Sequence, residues 1–245
     1  MTLAVIGGSG ALDHFTTIRT EAITTPFGAP SARPRHIRIG EIPALFLPRH
    51  GDPHRIPPHK VNYRANLHAL KTLGAKQIIA INAVGGIDAS LKPGAMVIPD
   101  QLIDYTWGRA HTFSDGGSAM LRHVEFAEPF AGRVRQALIQ AAADCSIATV
   151  NQGCYAVTQG PRLETAAEVQ RLKRDGGTIV GMTAMPETGL ARELELDYAG
   201  LCLVANPAAG LTETPISEQA IHDQLARTME QALVIVTRAA LNLQQ

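Results

Sequence analysis

The alternation of short apolar runs with longer amphipathic segments is the feature that most constrains the fold of this chain. Short apolar runs that end in glycine or a polar residue are typical of buried strands, and apolar residues at helical spacing are typical of helices. The predicted strands cover residues 3–6, 44–47, 77–83, 95–99, 154–158, 179–182 and 201–205. The predicted helices cover residues 62–73, 129–145, 165–176, 187–194 and 217–243. This order predicts an α/β fold with a predominantly buried sheet and helices around it.

Composition narrows the class of protein further. With 245 residues and 45% hydrophobic content, the chain can bury a large core, and we expect one domain spanning residues 1–245. A formal net charge of zero argues against a nucleic-acid binder, whose affinity depends on excess lysine and arginine. The amino terminus lacks a basic segment, and no window reaches the ~18 apolar residues of a membrane span. Cys145, Cys154 and Cys202 lack paired spacing, which predicts reduced, buried thiols in a cytoplasmic protein.

A dense basic stretch at residues 49–66, RHGDPHRIPPHKVNYRAN, follows the second predicted strand. Arg49 offers a planar fork of donors suited to phosphate, and His50 adds a directional hydrogen bond. The histidines could instead be metal ligands, but no HExxH or CxxC pattern accompanies them and the nearby cations would repel a metal ion. A merely solvated basic loop is the other alternative. We predict an anion site here and no metal.

Two predicted strands end in glycine-rich junctions. The turn at residues 7–10 carries Ser9, which we predict to donate to phosphate, with a plain tight turn as the alternative. It does not match a dinucleotide fingerprint, because Asp13 stands where the third glycine belongs. Asn82 begins the second junction, which ends in two glycines. Since open α/β sheets bind ligands at strand ends, we expect these junctions to converge with the basic stretch.

Later in the chain, two polar residues are placed where their side chains can contact a ligand. Thr165 and Glu168 have the spacing of a helix capping box, so Glu164 falls just before the helix, where its carboxylate can point into a site. Asn206 follows the last predicted strand and precedes small residues. A solvated loop acid and an Asn-Pro turn are the respective alternatives.

Taken together, these motifs resemble those of the methylthioadenosine phosphorylase and purine nucleoside phosphorylase family. The matching motifs are GGSG at residues 7–10, RHG with HRIPPHKVNYRAN at 49–66, NAVGG at 82–86, GPRLE at 160–164 and MTAMPE at 182–187. Each motif alone is weak, but their common order and spacing extend the resemblance over nearly the whole chain.

The resemblance implies a role for each matched position and a nucleoside phosphorylase fold with a central mixed β-sheet. The phosphate-binding residues would be Ser9, Arg49, His50, Asn82, Ala83 and Thr183. The substrate-binding residues would be Met182 against the ribosyl ring, Glu164, Asn206 and Ala208 at the base, and His123 near the 5′ group. Glu164 and Asn206 would also act in catalysis. A homotrimer, inorganic phosphate as co-substrate and no metal or organic cofactor are implied as well.

Two departures from methylthioadenosine phosphorylases bear on the substrate. Those enzymes carry aspartates where Asn206 and Ala208 stand and a serine where Glu164 stands. The Glu and Asn resemble those of enzymes for 6-oxopurines, whereas the RHG region is of the methylthio type. The combination implies release of hypoxanthine from methylthioinosine. Cleavage of methylthioadenosine, cleavage of inosine or guanosine, and non-catalytic nucleoside binding are the alternatives.

Overall fold

The computed structural model describes residues 2–8, 11, 14–116, 121–213 and 216–244. The strands are β1 (Thr2–Gly7), β2 (Thr16–Thr20), β3 (Arg35–Ile39), β4 (Ile42–Pro48), β5 (Ala75–Gly86), β6 (Met96–Val97), β7 (Gln101–Asp104), β8 (Cys154–Val157), β9 (Ile179–Gly181) and β10 (Asp197–Pro207). The helices are α1 (Tyr63–Thr72), α2 (Arg133–Asp144), α3 (Ala166–Arg174), α4 (Ala184–Glu193) and α5 (Glu218–Asn242). A short 3-10 helix, Pro58–Lys60, precedes α1.

The strands of the described residues form a ten-stranded mixed sheet. Its centre is parallel: β1 pairs with β4 and β5, and β5 pairs with β10. β9 runs antiparallel to the end of β5, and β8 and β7 continue from β9 in parallel. Antiparallel pairs add β3 and β2 beyond β4, and β6 beside β10. Because parallel neighbours share a direction, the carboxyl ends of β4, β1, β5 and β10 meet at one edge of the sheet.

Helices cover both faces of this sheet. On one face, α2 and α5 bury side chains such as Leu138 and Ile235 against β1 and β5. On the other face, α1 and α4 bury Leu67 and Leu190. Each fully buried leucine or isoleucine stabilises the fold by about 1.5–3 kcal/mol relative to an exposed one. The prediction of an α/β fold with a central mixed sheet flanked by helices is confirmed.

The carboxy-terminal helix α5 has two parts that differ in their surroundings. Ser217 caps its start, since Ser217 Oγ accepts from Ala220 N at 3.0 Å, as its position predicted. The buried residues of α5 begin at Thr228, and the part of the helix from there onward packs on the core. Ile221, Leu225 and Met229 line a cavity, and Leu225 and Met229 also contact the core. The first half of the helix therefore forms a wall of the cavity, and the helix is anchored from Leu225 onward.

A local contact caps the start of α3, and a tertiary contact caps the start of α2. The predicted capping box of α3 is confirmed: Thr165 Oγ1 accepts from Glu168 N at 3.1 Å, and Thr165 N donates to Glu168 Oε2 at 2.7 Å. Helix α2 begins at Arg133, later than the sequence predicted. Asp197, at the start of β10, accepts from Val134 N at 3.2 Å and thus caps α2 from a distant part of the chain.

Two expectations from the sequence were wrong in part. Residues 100–123 lie outside every predicted strand and helix, but this stretch begins with β7, which pairs in parallel with β8. Cys202 is buried as predicted, whereas Cys145 and Cys154 are partly exposed. Among the described helices, none combines the length and the apolar character that a membrane crossing requires.

Candidate active site

A cavity of about 780 Å³ lies at the sheet edge where the parallel strands end. Arg49 N donates to Gly7 O at 2.9 Å, which holds the end of β4 beside the end of β1. Asn206 of β10 pairs in register with Gly85 of β5. The predicted site residues that line the cavity are Arg49, His50, Ala83, Glu164, Met182, Thr183, Asn206 and Ala208. Strand ends from distant parts of the chain thus supply a common site.

Arg49 is almost fully buried at this cavity, with 2% of its surface exposed. Its Nε and Nη2 donate to the two carboxylate oxygens of Glu187 at 2.7 and 2.8 Å, and its Nη1 donates to Ile81 O at 3.2 Å. Tyr198 donates its hydroxyl to Glu187 Oε1 at 2.8 Å. This two-point contact between planar groups fixes the orientation of the guanidinium.

The ion pair also decides the electrostatics of Arg49. Burial on its own would lower the pKa of Arg49, but the charge and hydrogen bonds of Glu187 outweigh burial, and the pKa is raised above its ordinary value. Since the pair is neutral as a whole, Arg49 would meet an incoming anion as an oriented donor and not as an isolated charge. The N–H groups of Arg49 that have no partner among the described residues can then donate to a ligand.

His50 follows Arg49, and its ring is fixed by a backbone contact. His50 Nδ1 lies 2.8 Å from Ile56 O, and because a carbonyl oxygen only accepts, Nδ1 carries the proton of the neutral ring. The ring stacks on that of His54 with 4.5 Å between centroids. Burial, followed by the charge of Arg49, lowers the pKa of His50 to about 4. At neutral pH His50 Nε2 is therefore an acceptor, suited to a protonated oxygen of a ligand.

Thr183 and Asn82 form a polar pair beside Arg49 and His50. Thr183 donates its hydroxyl to Asn82 Oδ1 at 3.0 Å, and Asn82 Nδ2 donates to Ala80 O at 3.2 Å. The bond to Ala80 O fixes which end of the Asn82 amide faces Thr183. The buried Asn82 side chain thus supports Thr183 from behind, while Ala83 lines the cavity itself.

Glu164, in the loop before α3, and Asn206, near the end of β10, present polar atoms to the cavity. Thr158, directly after β8, donates its hydroxyl to Glu164 Oε1 at 2.6 Å, which positions the carboxylate. Asn206 Nδ2 donates to Pro207 O at 2.7 Å and keeps a second N–H. Ala208 N donates to Gly86 O at 2.8 Å, so the chain after β10 stays close to β5. The arrangement offers acceptors and a donor in fixed positions.

Two predicted site residues are not part of this group. Ser9 lies outside the described residues. His123 is exposed and lines a separate shallow cleft with Arg122, Arg133 and Asp197. Within one chain, His123 is therefore not brought together with the other predicted site residues.

Sequence reasoning missed Glu187 and its partner Tyr198. Glu187 has no exposed surface, although it was treated only as part of a helix. A signal was present: Glu187 lies three and four positions before Leu190 and Ala191, which are buried on the same helical face. A carboxylate among buried apolar residues requires a cationic or hydrogen-bonding partner, and Arg49 is that partner.

Comparisons with known proteins agree on one family. Residues 2–241 match the Phosphorylase superfamily. A probable S-methyl-5′-thioinosine phosphorylase of Xanthomonas campestris pv. campestris is 49% identical over 215 residues, with 86% of this chain and 85% of that protein covered. A probable 6-oxopurine nucleoside phosphorylase of Thermococcus kodakarensis is 40% identical over 97% of this chain and 91% of that protein. Methylthioadenosine phosphorylase from Schistosoma mansoni in complex with adenine superposes with a TM-score of 0.93 at 35% identity, over 99% of this chain and 92% of that one.

We expect Glu187→Gln to destabilise the protein strongly. The substitution leaves the Arg49 guanidinium buried without its counter-charge, which costs about 3–5 kcal/mol. Tyr198→Phe is the matched control, because it removes one hydrogen bond to the same carboxylate and leaves the ion pair, at about 1.5–3 kcal/mol. Urea unfolding at neutral pH measures both. A loss in Glu187→Gln no larger than that in Tyr198→Phe would contradict the importance of the charge pair.

We also expect His50 to contribute to acid destabilisation. The folded protein binds a proton at His50 only near pH 4, whereas histidine in the unfolded chain binds one near pH 6.5. Between these values the unfolded state holds more protons, so the free energy of unfolding falls as the pH falls, by up to about 1.4 kcal/mol per pH unit. His50→Gln should flatten this slope in phosphate-free urea titrations. His123→Gln, at an exposed position, is the control; identical slopes in the two variants would refute the assignment.

Proposed function

This chain is an enzyme of the phosphorylase superfamily, and on that premise we propose that it cleaves S-methyl-5′-thioinosine with inorganic phosphate to hypoxanthine and 5-methylthioribose 1-phosphate. The observation that carries the proposal is that Glu164 and Asn206 line the same cavity as Arg49, His50 and Thr183. The relatives named for methylthioinosine and 6-oxopurine nucleosides support the same reading.

The proposed reaction uses no nucleophile from the protein. An oxygen of phosphate bonds to C1′ while the bond from C1′ to the purine breaks, and the purine leaves with the electron pair and takes up a proton at N7. Arg49, His50 and the backbone around Thr183 would hold the phosphate, with Ser9, Asn82 and Ala83 assisting. Positioning and stabilisation of the charge that moves onto the purine supply the rate enhancement. No metal or organic cofactor is required, because phosphate is itself the attacking group.

Donor and acceptor counting at the base supports hypoxanthine. A 6-oxopurine presents N1–H as a donor and O6 as an acceptor, and N7–H becomes a donor as the base leaves. Glu164 can accept from N1–H, the free N–H of Asn206 can donate to O6, and Asn206 Oδ1 can accept from N7–H. With adenine, N1 would face a carboxylate and the 6-amino group would face an amide N–H. Each such mismatch of buried polar groups costs about 1–3 kcal/mol.

The apolar side chains that α5 presents to the cavity support the proposal that the substrate carries a 5′-methylthio group. Ile221, Leu225 and Met229 line the cavity, and a thioether gains from burial there, whereas a hydroxyl without a partner is penalised. One residue of the same helix favours a second candidate: His222 also lines the cavity and could bond a 5′-hydroxyl, which would suit inosine. His123 enters the proposal only through a homotrimer, in which an adjacent subunit would supply it.

Specificity constants for methylthioinosine, methylthioadenosine and inosine test the proposal. We expect methylthioinosine to have the highest kcat/KM, and omission of phosphate to abolish release of the base. Inosine cleaved as efficiently as methylthioinosine would select the second candidate. Faster release of adenine from methylthioadenosine would overturn the assignment of Glu164 and Asn206, and nucleoside binding without any phosphorolysis would identify a binding protein.

Exchange of the base-contacting residues should change the preferred base. We expect Asn206→Asp combined with Glu164→Ser to shift the ratio of kcat/KM values toward methylthioadenosine by about a hundredfold or more, since an aspartate accepts from an amino group and from a protonated N7. Glu164→Gln is the control that keeps the shape of the side chain and removes the charge. A ratio unchanged in the double variant would mean that the base is read elsewhere.

A further inference from the structure

Arg109 is a buried arginine that the function described so far does not use. It lies in the segment between β7 and α2, and 8% of its surface is exposed. Its Nε donates to Gln159 Oε1 at 3.1 Å, and its Nη1 donates to Met182 O at 2.9 Å and to Met185 O at 2.5 Å. Its Nη2 donates to Thr158 O at 3.2 Å and to Gln159 O at 2.9 Å. Every N–H of the guanidinium is therefore engaged.

The acceptors belong to two segments that carry different parts of the site. Thr158 follows β8, and its hydroxyl holds the Glu164 carboxylate. Met182 follows β9 and directly precedes Thr183, and both residues line the cavity. Arg109 thus joins the segment that would bind the base to the segment that would bind ribose and phosphate. β8 pairs with β9 up to Gly181, and Thr158 N and Thr158 Oγ1 donate to Gly181 O at 2.8 and 3.3 Å, so the two segments are already joined at that residue. Beyond Gly181, the described side-chain hydrogen bonds that link Thr158 or Gln159 to Met182 or Met185 run through Arg109.

The chemistry of this contact requires an arginine. The five acceptors of the guanidinium described above are carbonyl oxygens, and none is a carboxylate. Burial lowers the pKa of Arg109, and the nearby Tyr63 and Asp104 offset this only in part. The guanidinium also lies over the Tyr63 ring, 5.7 Å from its centroid. Lysine has three donors on one atom and cannot reach acceptors placed around a planar fork.

We propose that Arg109 is a positioning residue for phosphorolysis, which sets the distance between the base-binding and the phosphate-binding segments. The inference rests on the proposed function of the cavity. Phosphate must lie in line with the bond from C1′ to the purine, so an error of ~1 Å between the segments lowers the rate about a hundredfold. Arg109 touches no reacting atom; it acts through the main chain of Thr158 and Met182.

Arg109→Lys is the central variant, and Arg64→Lys is its matched control. Arg64 Nη1 lies 3.5 Å from Thr112 O and 3.3 Å from Asp115 Oδ2, so Arg64 holds the same segment without a contact to either site segment. Both variants keep the positive charge. A difference in kcat/KM between the two variants therefore reports the contact of Arg109 with the two site segments, and not the general anchoring of the segment between β7 and α2.

For Arg109→Lys we expect kcat/KM to fall about a hundredfold, with higher KM for both phosphate and nucleoside and a cooperative melting transition retained. For Arg64→Lys we expect kcat/KM within about threefold of wild type. A folded Arg109→Lys variant with kcat/KM within about threefold of wild type, or losses of equal size in both variants, would overturn the proposal. If Arg109→Lys melts below the assay temperature, Gln159→Met replaces it, because it removes one acceptor and leaves the guanidinium. A loss of about tenfold in Gln159→Met supports the proposal and unchanged kcat/KM overturns it.

Trp107 provides a readout that does not depend on activity. It is the single tryptophan of the chain, and its main chain exchanges hydrogen bonds of 3.3 and 3.0 Å with the Gln159 side chain. Its side chain is already 73% exposed, so the mobility of the segment, and not the access of a quencher, is the quantity to measure. We expect the steady-state anisotropy of its fluorescence to fall in Arg109→Lys but not in Arg64→Lys. If the wild-type protein cleaves no purine nucleoside with phosphate, the proposed function fails, and unchanged anisotropy in Arg109→Lys would then separately refute the positioning role.

Discussion

The buried ion pair of Arg49 and Glu187 is the interaction on which the rest of the site depends. It joins residues 138 positions apart, at the end of β4 and in the first turn of α4. Two charges removed from water are tolerated only when their geometry is good and their remaining hydrogen-bonding groups are satisfied. Tyr198 and the carbonyl of Ile81 each add a hydrogen bond to the pair, and the N–H groups of Arg49 without a partner among the described residues are those left for a ligand. The Arg49 side chain at the cavity consequently has a fixed orientation before any ligand binds.

The strand order of the sheet explains why residues from distant parts of the chain line one cavity. The strand order places β1 between β4 and β5, and β9 between β5 and β8, so residues that follow these strands surround one cavity from several sides. The long strand β5 is shared by both halves of the sheet, because it pairs with β1, β10 and β9. The cavity-lining residues of β5, β9 and β10 are thus fixed to a common sheet.

Local patterns in the sequence predicted much of this arrangement, since they depend on neighbouring residues. The strands that deliver Arg49 and Asn206, the capping box at Thr165 and the start of α5 are of this kind. The partner of Arg49 could not be predicted, because Glu187 is distant in sequence and its burial results from how α4 packs. The same applies to the contacts of Arg109, which lies in a segment with no periodic pattern and donates to carbonyl groups of two other segments.

Helix α5 has a consequence for how substrate range can change during evolution. Its buried residues begin at Thr228, whereas Ile221 and His222 face the cavity about two turns earlier. Neither of these two residues belongs to the core cluster of the described residues, so substitutions there alter the cavity wall and leave the core contacts of α5 in place. Glu164 and Asn206, which we propose to contact the base, lie on other elements, so separate sets of mutations would select the base and the 5′ substituent of a nucleoside. A lineage could therefore acquire a new 5′ substituent and a new base in independent steps, with the scaffold unchanged.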